Sequence, residues 1–431
     1  MKARQSHFAL LAATLLLAGL AHAQAFSSGS TGSDGALNYP TAGTYSFNPA
    51  TTNPVLDPSG DNIFNFTTIN IAAGVTLTLT NSNLRGKPVV WLATGNVTIA
   101  GTLVLDGESG PGLANAGANW FTLRTPTQPG PGGYAGGVGA RPGNAEAPGL
   151  GPGGGPVQTN ANCGYGGSAA FSTLPSASYQ GAPVASTYGN IQTVPLLGGS
   201  GGSGGCLQVG ATAPDAAGGT GGAGGGAIRI VSTTSISVTG GISSQGGGGG
   251  QGRDGGYPGG AGSGGTINLI APTVTGTGAL NVYGGGIYAI TSYGIASGGY
   301  ILINATTNTF TGNTYGGITT LRPLIAPPLP TLTAAPTVTI VSVNSVPVPQ
   351  PPQGLFATPD VTINTPNAVV INISAVGVPV GTVVTLDIVS ELAADQVISC
   401  NPLAGTITSS TATCSATFPT SISAIQASVI W

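Results

Sequence analysis

The sequence predicts an all-β protein in which a parallel β-helix with long glycine-rich loop insertions precedes a small immunoglobulin-like β-sandwich. Three observations lead to this fold class. Short runs of alternating apolar and polar residues recur in four segments, and such alternation is typical of strands. Glycine, 75 of 431 residues, is concentrated between those segments. From residue 337 onward, alternating runs follow one another at the spacing of a sandwich.

Residues 1–23 are predicted to be a secretory signal peptide. A basic start, an apolar run over 8–20 and a small-x-small site at 21–23 precede Gln24. No later segment has an unbroken apolar stretch of membrane-spanning length. We therefore expect a secreted protein, extracellular or on the outer cell surface, that is not an integral membrane protein.

The β-helix is predicted for residues 24–325. The segments 89–107, 227–246, 266–284 and 300–317 each hold two or three short alternating runs, separated by small or turn-forming residues. One such coil cannot bury its own apolar face, so stacked coils must form the core.

Glycine-rich insertions separate these coils. The largest occupies 108–226, and shorter ones occupy 247–265 and 285–299. Insertions at coil corners leave a solenoid core intact, so we expect them to decorate the shaft and to be largely mobile. The composition leaves two alternatives open: disordered loops, or polyglycine strands whose bare backbones approach closely.

The C-terminal part begins with a proline-rich linker at 326–336. The remaining residues, 337–431, have the size of a small immunoglobulin-like sandwich, although the Cys…Trp…Cys core pattern is absent.

Four cysteines are present, and export makes disulfides permissible. Four cysteines allow three connectivities, of which proximity favours Cys163–Cys206 and Cys400–Cys414. Because no CxxC motif occurs, a zinc site is disfavoured.

The composition excludes several function classes. Charged residues make up 5% of the chain, against roughly 25% in ordinary domains. Without the signal peptide, seven basic and twelve acidic residues remain, a net charge of −5, so nucleic acid is not an expected partner. Both histidines, His7 and His22, lie in the signal peptide, which removes histidine triads and histidine metal sites from the mature chain.

At this point a family resemblance emerges. The stretches "GSDGALNYP", "DNIFNFTTINIAAGVTLTLT", "PVVWLATGNVTIAGTLVLDG" and "PGGYAGGVG" resemble secreted, glycine-rich bacterial proteins of the pectin-lyase-like type. The likeness covers roughly residues 30–320. It implies a right-handed β-helix, and the wider superfamily includes polysaccharide lyases, hydrolases and adhesins. Its fold transfers to this chain better than its function.

Asp106 and Glu108 are the candidate catalytic residues, at the start of the large insertion. Such a pair is typical of a glycosidase acid and base, or of a calcium site; the alternative is a pair of solvated turn residues. A lyase of this superfamily would need an acidic cluster beside a base, and no such cluster accompanies Arg229 in the sequence. Asp254 lies in "GGQGRDGGY", a single partial match to a calcium-binding nonapeptide, so Ca²⁺ is a weak candidate and no cofactor is predicted. A local ion pair with Arg253 is the simpler interpretation of Asp254.

Aromatic residues in the insertions are candidate ligand-binding groups, because tyrosine and glycine with scattered serine and asparagine is a binding-loop composition. The candidates are Trp120, Tyr134, Tyr165, Tyr179, Tyr188 and Tyr257. The alternative is that these rings only pack the insertion against the shaft.

The sequence therefore predicts a structural or adhesive protein that binds an extracellular glycan or surface through its glycine- and tyrosine-rich loops. A polysaccharide lyase or glycoside hydrolase that uses Asp106 and Glu108 is the alternative. Threonine-rich runs raise an ice-binding function, but Thr-x-Thr does not recur from coil to coil, and threonine is common at outward strand positions.

Overall fold

A computed structural model describes most of the chain after the predicted signal peptide. The described residues are 26–52, 54–113, 125–159, 163–176, 185–211, 213, 215–287, 294–324, 336–350, 352, 359–390 and 393–429. The predicted signal peptide and nearly all of the predicted linker lie outside this range.

The described part of the chain is all-β, apart from a single 3-10 turn at Pro49–Thr51. The strands of the first part are β1 (Leu37–Tyr39), β2 (Gly43–Ser46), β3 (Ile63–Phe66), β4 (Ile69–Ile71), β5 (Val75–Thr78), β6 (Val89–Ala93), β7 (Val97–Ile99), β8 (Thr102–Val104), β9 (Ala227–Ser232), β10 (Ser235–Val238), β11 (Gly241–Ser243), β12 (Thr266–Gly276), β13 (Ala279–Asn281), β14 (Gly299–Phe310), β15 (Asn313–Tyr315) and β16 (Gly317–Arg322). Those of the second part are β17 (Thr337–Val343), β18 (Val346–Pro347), β19 (Val369–Val376), β20 (Val383–Ser390), β21 (Gln396–Pro402), β22 (Ala404–Thr406), β23 (Ser409–Ala416) and β24 (Ser423–Val429).

Two parallel sheets form the first part, which confirms the predicted parallel strand pairing. Sheet A has the order β1-β4-β7-β10-β12-β9-β6-β3, with β14 beside β12 and β16 beside β14. Sheet B has the order β15-β13-β11-β8-β5-β2. From β1 to β9, each strand pairs with the strand three places later in the chain, as β1 does with β4 and β9 with β12. The long strand β12 joins the two runs of sheet A, because its first half pairs with β9 and its second half with β10.

One hydrophobic core collects the inward side chains of both parallel sheets. Strand residues alternate between buried and partly exposed, as in β5 and β7, so the two-residue period of the sequence sets which face is buried. Near β3 and β6 this core is aromatic. The Phe47 ring meets those of Phe64 and Trp91 edge-on, with centroids 5.2 and 5.6 Å apart.

The glycine-rich segments between the strands form a second kind of packing, which we call the glycine bundle. Its segments are 105–113, 128–140, 147–156, 163–170, 197–206, 216–226, 244–251, 256–265, 283–287 and 294–299. In the segment 134–140, the N–H groups of Tyr134, Gly137 and Ala140 donate to carbonyls of the segment 199–205. Their acceptors are the carbonyls of Gly199, Gly202 and Gly205, at 2.8–3.0 Å. The range 199–205 donates in the same way to 219–225, and 219–225 donates to 257–263. A period of three is that of the polyproline II conformation, which has no internal hydrogen bonds and must find partners in neighbouring chains.

Glycine is required in this bundle because the backbones approach too closely for side chains. A Cβ atom at Gly202 would collide with the carbonyl of Gly260, and one at Gly222 with that of Gly247. The expectation of a mobile decoration is therefore wrong for the described parts of 108–226, which are packed. Of the two alternatives left open by the sequence, the structure has the second, in which polyglycine segments approach each other closely. Regular backbone hydrogen bonds between these segments replace the side-chain contacts that glycine lacks.

Antiparallel sheets form the second part. Sheet C has the order β18-β17-β19-β23-β22, and sheet D has the order β21-β20-β24. A separate core takes side chains from both sheets, including Ile371 of β19 and Leu386 of β20. The Cys400–Cys414 disulfide joins β21 of sheet D to β23 of sheet C.

Both disulfides pair the cysteines that proximity in the sequence favoured. Cys163–Cys206 links two segments of the glycine bundle, and Cys400–Cys414 links the two antiparallel sheets. Disulfides of this kind indicate an oxidising, extracellular environment. In the described ranges, no helix is long and apolar enough to cross a membrane.

Candidate functional site

A row of polar and aromatic side chains lies on the outward face of sheet B, where β11, β13 and β15 end. We call it the tyrosine row, and its members are Asp106, Ser243, Gln245, Asn281, Tyr283 and Tyr315. The register places Ser243 beside Asn281, and Asn281 beside Tyr315. Asp106, Gln245 and Tyr283 follow as the next outward residues of their chains, because alternate residues point to the same face of a sheet.

The two tyrosines of the row are stacked and open to solvent. Their ring centroids are 5.8 Å apart with an interplanar angle of 25°. Tyr283 is 48% exposed and Tyr315 is 36% exposed, so a large part of both rings is available for contact. Gly316 supports this arrangement, since its φ is +78° and a Cβ there would collide with Tyr283.

Hydrogen bonds fix the polar side chains of the row and leave some of their groups without a protein partner. Asp106 Oδ1 accepts from the Ser243 hydroxyl at 2.6 Å and from the Gln245 backbone N–H at 2.7 Å. Asn281 Oδ1 accepts from the Tyr283 N–H at 3.1 Å. Within the described residues, Asp106 Oδ2 and Asn281 Nδ2 have no hydrogen-bond partner in the protein. The row therefore presents an acceptor, a donor and two rings to solvent.

The predicted carboxylate pair does not share a hydrogen-bond partner. Asp106 belongs to the tyrosine row, whereas Glu108 accepts from the backbone N–H of Gln128 at 2.8 Å. Arg229, considered as a possible base, is 2% exposed and donates to the Thr193 carbonyl at 2.8 Å. Burial lowers the pKa of Arg229 to about 10. Arg229 alternates with the core residues Ile228 and Ile230, so it points away from the core, where the backbone around Thr193 covers it.

The loop aromatics have different surroundings from one another. Tyr188 stacks on Phe171 with centroids 4.4 Å apart, and its hydroxyl donates to the Gly198 carbonyl at 2.7 Å. Burial raises the pKa of Tyr188 well above its usual value. The Tyr188 ring thus packs within the insertion, and the Tyr188 carbonyl accepts from the Tyr300 hydroxyl of β14 at 3.3 Å, which agrees with the packing alternative.

The other loop aromatics are only partly accounted for by packing. Burial also raises the pKa of Tyr134. Tyr165 and Tyr257 form a tilted pair with centroids 6.0 Å apart, and both are half-buried. Trp120 and Tyr179 lie outside the described residues.

Asp254 takes part in an ion-pair cluster. Arg253 Nε is 3.0 Å from Asp254 Oδ2, and Arg253 Nη2 is 2.9 Å from Asp215 Oδ2. Hydrogen bonding to Arg253 lowers the pKa of Asp215. Across the part of the chain that the structure describes, no three His, Cys, Asp or Glu side chains group as a metal site would require.

Tyr283 and Tyr315 are not among the predicted binding aromatics, because they lie at the coil ends after β13 and in β15 and not in the insertions. A signal for them was present: "NVYGG" and "NTYGG" are two similar coil ends, at 281–285 and 313–317. No protein family, curated protein or solved structure matches the chain.

Proposed function

We propose that this chain is an extracellular or cell-surface adhesive protein that binds glycans through the tyrosine row. The observation that carries the proposal is the stacked, exposed pair Tyr283 and Tyr315 beside unsatisfied polar groups of Asp106 and Asn281. Tyrosine combines an apolar body with a polar tip, so it binds well where one side of a ligand is apolar and the other wet.

A sugar offers complementary chemistry to this row. Its C–H groups pack against the aromatic rings, while its hydroxyls donate to Asp106 Oδ2 and accept from Asn281 Nδ2. Because the side chains stand on or directly after strands, they are already held in place before the ligand binds, which reduces the ordering that binding requires. A polysaccharide chain can lie along the row, across the ends of β11, β13 and β15.

The framework of the proposal is a right-handed parallel β-helix of the pectin-lyase-like type, followed by an immunoglobulin-like sandwich. Pairing between strands three apart supports the first assignment. A shared core and a disulfide between sheets C and D support the second. Export through the signal peptide at 1–23 is consistent with both disulfides.

The polysaccharide-cleaving alternative has no observation that favours it. Asp106 accepts hydrogen bonds from Ser243 and Gln245, and Glu108 accepts one from Gln128, so both carboxylates have structural partners. In the proposal Asp106 is a hydrogen-bonding group for the ligand and not an acid or base.

The test is a glycan array with residues 24–431, followed by affinity measurements on the best ligand. Tyr283→Ala and Tyr315→Ala should each weaken binding about tenfold or more, equivalent to ~1.4 kcal/mol. Tyr257→Ala is the matched control, because it removes a half-buried tyrosine of the insertion loops and should leave the affinity unchanged.

Three results would contradict the proposal. Binding that Tyr257→Ala abolishes and Tyr283→Ala leaves intact would place the ligand at the insertion loops. No binding to any glycan on the array would remove the adhesive function as stated. Cleavage of a polysaccharide that Asp106→Asn abolishes would favour the enzyme alternative.

A further inference from the structure

Sheet A carries a regular array of short polar side chains, which we call the polar face. Across neighbouring parallel strands, the register aligns one outward residue from each strand into a first rank. This rank consists of Asn38, Asn70, Thr98, Ser237, Thr275 and Thr309. Its six members contain only hydroxyl and amide groups.

A second rank lies two residues earlier along the same chains. It consists of Thr68, Asn96, Ser235, Thr273 and Thr307. The register places Ser235 beside Thr273, and Thr273 beside Thr307. The Ser235 hydroxyl donates to Asn96 Oδ1 at 3.1 Å, which fixes the neighbouring position. The polar face is therefore two residues wide and five to six strands long.

The polar face is accessible to solvent. All members of both ranks are exposed or half-buried, whereas the residues between the ranks on β4, β7, β10 and β12 are buried. Within the described residues, the hydroxyls of Thr98, Ser237 and Thr275 make no hydrogen bond to the protein. They are therefore free to bind water, and water bound to them would repeat with the strands.

The spacing of the array is set by the sheet. Neighbouring strands are about 4.8 Å apart, so a rank of six spans roughly 24 Å. The two ranks are separated by two residues of a strand, or about 6.7 Å. Such a repeating surface suits a ligand that is itself extended and repeating, and not a single small molecule, which needs a concave site.

The chemistry of the face narrows the ligand further. Neither rank contains an aromatic residue on which a sugar ring would stack, and neither contains Asp, Glu, Lys or Arg. Threonine at an outward strand position is common, but that preference does not explain hydroxyl or amide groups on every strand of both ranks. Uncharged hydroxyls and methyl groups in register can hold water molecules in a lattice.

We propose that the polar face binds the surface of ice. The water oxygens of an ice surface repeat on the same length scale as the side chains of the array. Water bound to the two ranks would then join the crystal without being displaced. This function is independent of the tyrosine row, which lies on sheet B.

The experiment measures the uptake of residues 24–431 into a slowly growing ice crystal and the inhibition of ice recrystallisation. We expect the protein to be concentrated in the ice. Thr98→Tyr inserts a bulky ring into the middle of the first rank and should raise the concentration needed for inhibition about tenfold. Thr309→Tyr, on the exposed last strand of the face, is a second variant that the fold tolerates easily and should act in the same direction.

Thr76→Tyr is the matched control. Thr76 is an outward, half-buried threonine of β5 in sheet B, so the same substitution there should leave ice uptake unchanged. The proposal is overturned if the unmodified protein enters ice no better than a globular protein that does not bind it. Equal activity of Thr98→Tyr, Thr309→Tyr and Thr76→Tyr overturns it as well. So does retention on crystalline cellulose or chitin by the polar face without any uptake into ice.

Discussion

Gly222 illustrates how a single residue of the glycine bundle is constrained on several sides. Its N–H donates to Gly260 at 2.9 Å, and its carbonyl accepts from Gly202 at 2.8 Å. The direction in which a side chain would point is occupied by the carbonyl of Gly247. Glycine is required here because other segments of the same chain approach closely, and not because the backbone has an unusual φ.

Gly222→Ala should therefore destabilise the protein by about 2–3 kcal/mol, because the added methyl group forces neighbouring chains apart. Gly286→Ala is the control: Gly286 is exposed, and a Cβ there meets nothing within 4 Å. Its effect should stay within about 0.5 kcal/mol. Urea unfolding measures both, with equal slopes for the two variants. Equal stability of Gly222→Ala and Gly286→Ala would show that the bundle is loosely packed.

At the residue scale, the sequence predicted which type of side chain the candidate site contains better than it predicted which side chains are neighbours there. Asp106 was singled out as a carboxylate beside an insertion, and it does lie in the candidate site. Its partners Ser243 and Gln245 come from a later coil, and Asn281 lies beside Ser243 on the coil after that, so only the strand register brings these residues together. The polar face was hidden for the same reason. In some coils the aligned position is occupied by Asn or Ser and not by Thr. The insertions also make the sequence spacing between aligned residues irregular.

At the scale of elements, the 108–226 insertion is joined to the rest of the chain by many hydrogen bonds. Its segment 219–225 donates to 257–263, and the N–H groups of Gly247 and Gly250 donate back to Ala223 and Thr220. Leu196, also in the insertion, packs against Val90 and Ile270 on the outer face of sheet A. Removing the insertion would expose these apolar groups and leave backbone groups unpaired.

We therefore expect that replacing 108–226 by a four-residue turn prevents cooperative folding of the first part. The shortened chain should aggregate or lose its parallel β structure, as measured by circular dichroism and thermal unfolding. The second part, with its own core, supplies an internal reference whose transition should persist. A soluble, cooperative, β-rich first part would instead mean that the insertion is a dispensable decoration.

The strands were predictable because their two-residue alternation is set by a buried face, and β7, β10 and β13 lie where the pattern places them. The packing of the insertions was not, because glycine has no side chain and leaves no apolar pattern. A weaker signal does exist. "GGSGGSGGC" at 198–206 repeats every three residues, which is the period of its hydrogen bonds.

At the scale of the whole molecule, the two parts have separate cores. The first core lies within residues 37–310 and the second within residues 338–429. The two parts also touch: Arg141, which follows the 128–140 segment of the glycine bundle, pairs with Asp395 at 3.0 Å, and Asn144 accepts from the Asp395 N–H at 2.8 Å. None of these three residues belongs to either core, so the two cores are formed without them.

Residues 337–431 should therefore fold alone, with one cooperative urea transition. Reducing Cys400–Cys414, which are 14 residues apart, should lower the free energy of unfolding by about 3 kcal/mol, because a loop of this size is no longer closed in the unfolded chain. The matched comparison is the same fragment with the disulfide intact. A fragment that shows no cooperative transition when oxidised would mean that the second core needs the first part of the molecule.

The glycine bundle also reverses the usual relation between sequence complexity and amide hydrogen exchange. Glycine-rich segments ordinarily exchange their amide protons with solvent quickly, since nothing holds them. Here the N–H groups of Gly202, Gly222 and Gly260 are donated to carbonyls inside a buried array. If one segment of the glycine bundle opens, its hydrogen bonds to several other segments break at once. Amide exchange therefore requires a large, cooperative opening of the bundle. We therefore expect the least varied stretches of this sequence to be among its most protected, with deuterium uptake as slow as that of the strands beside them.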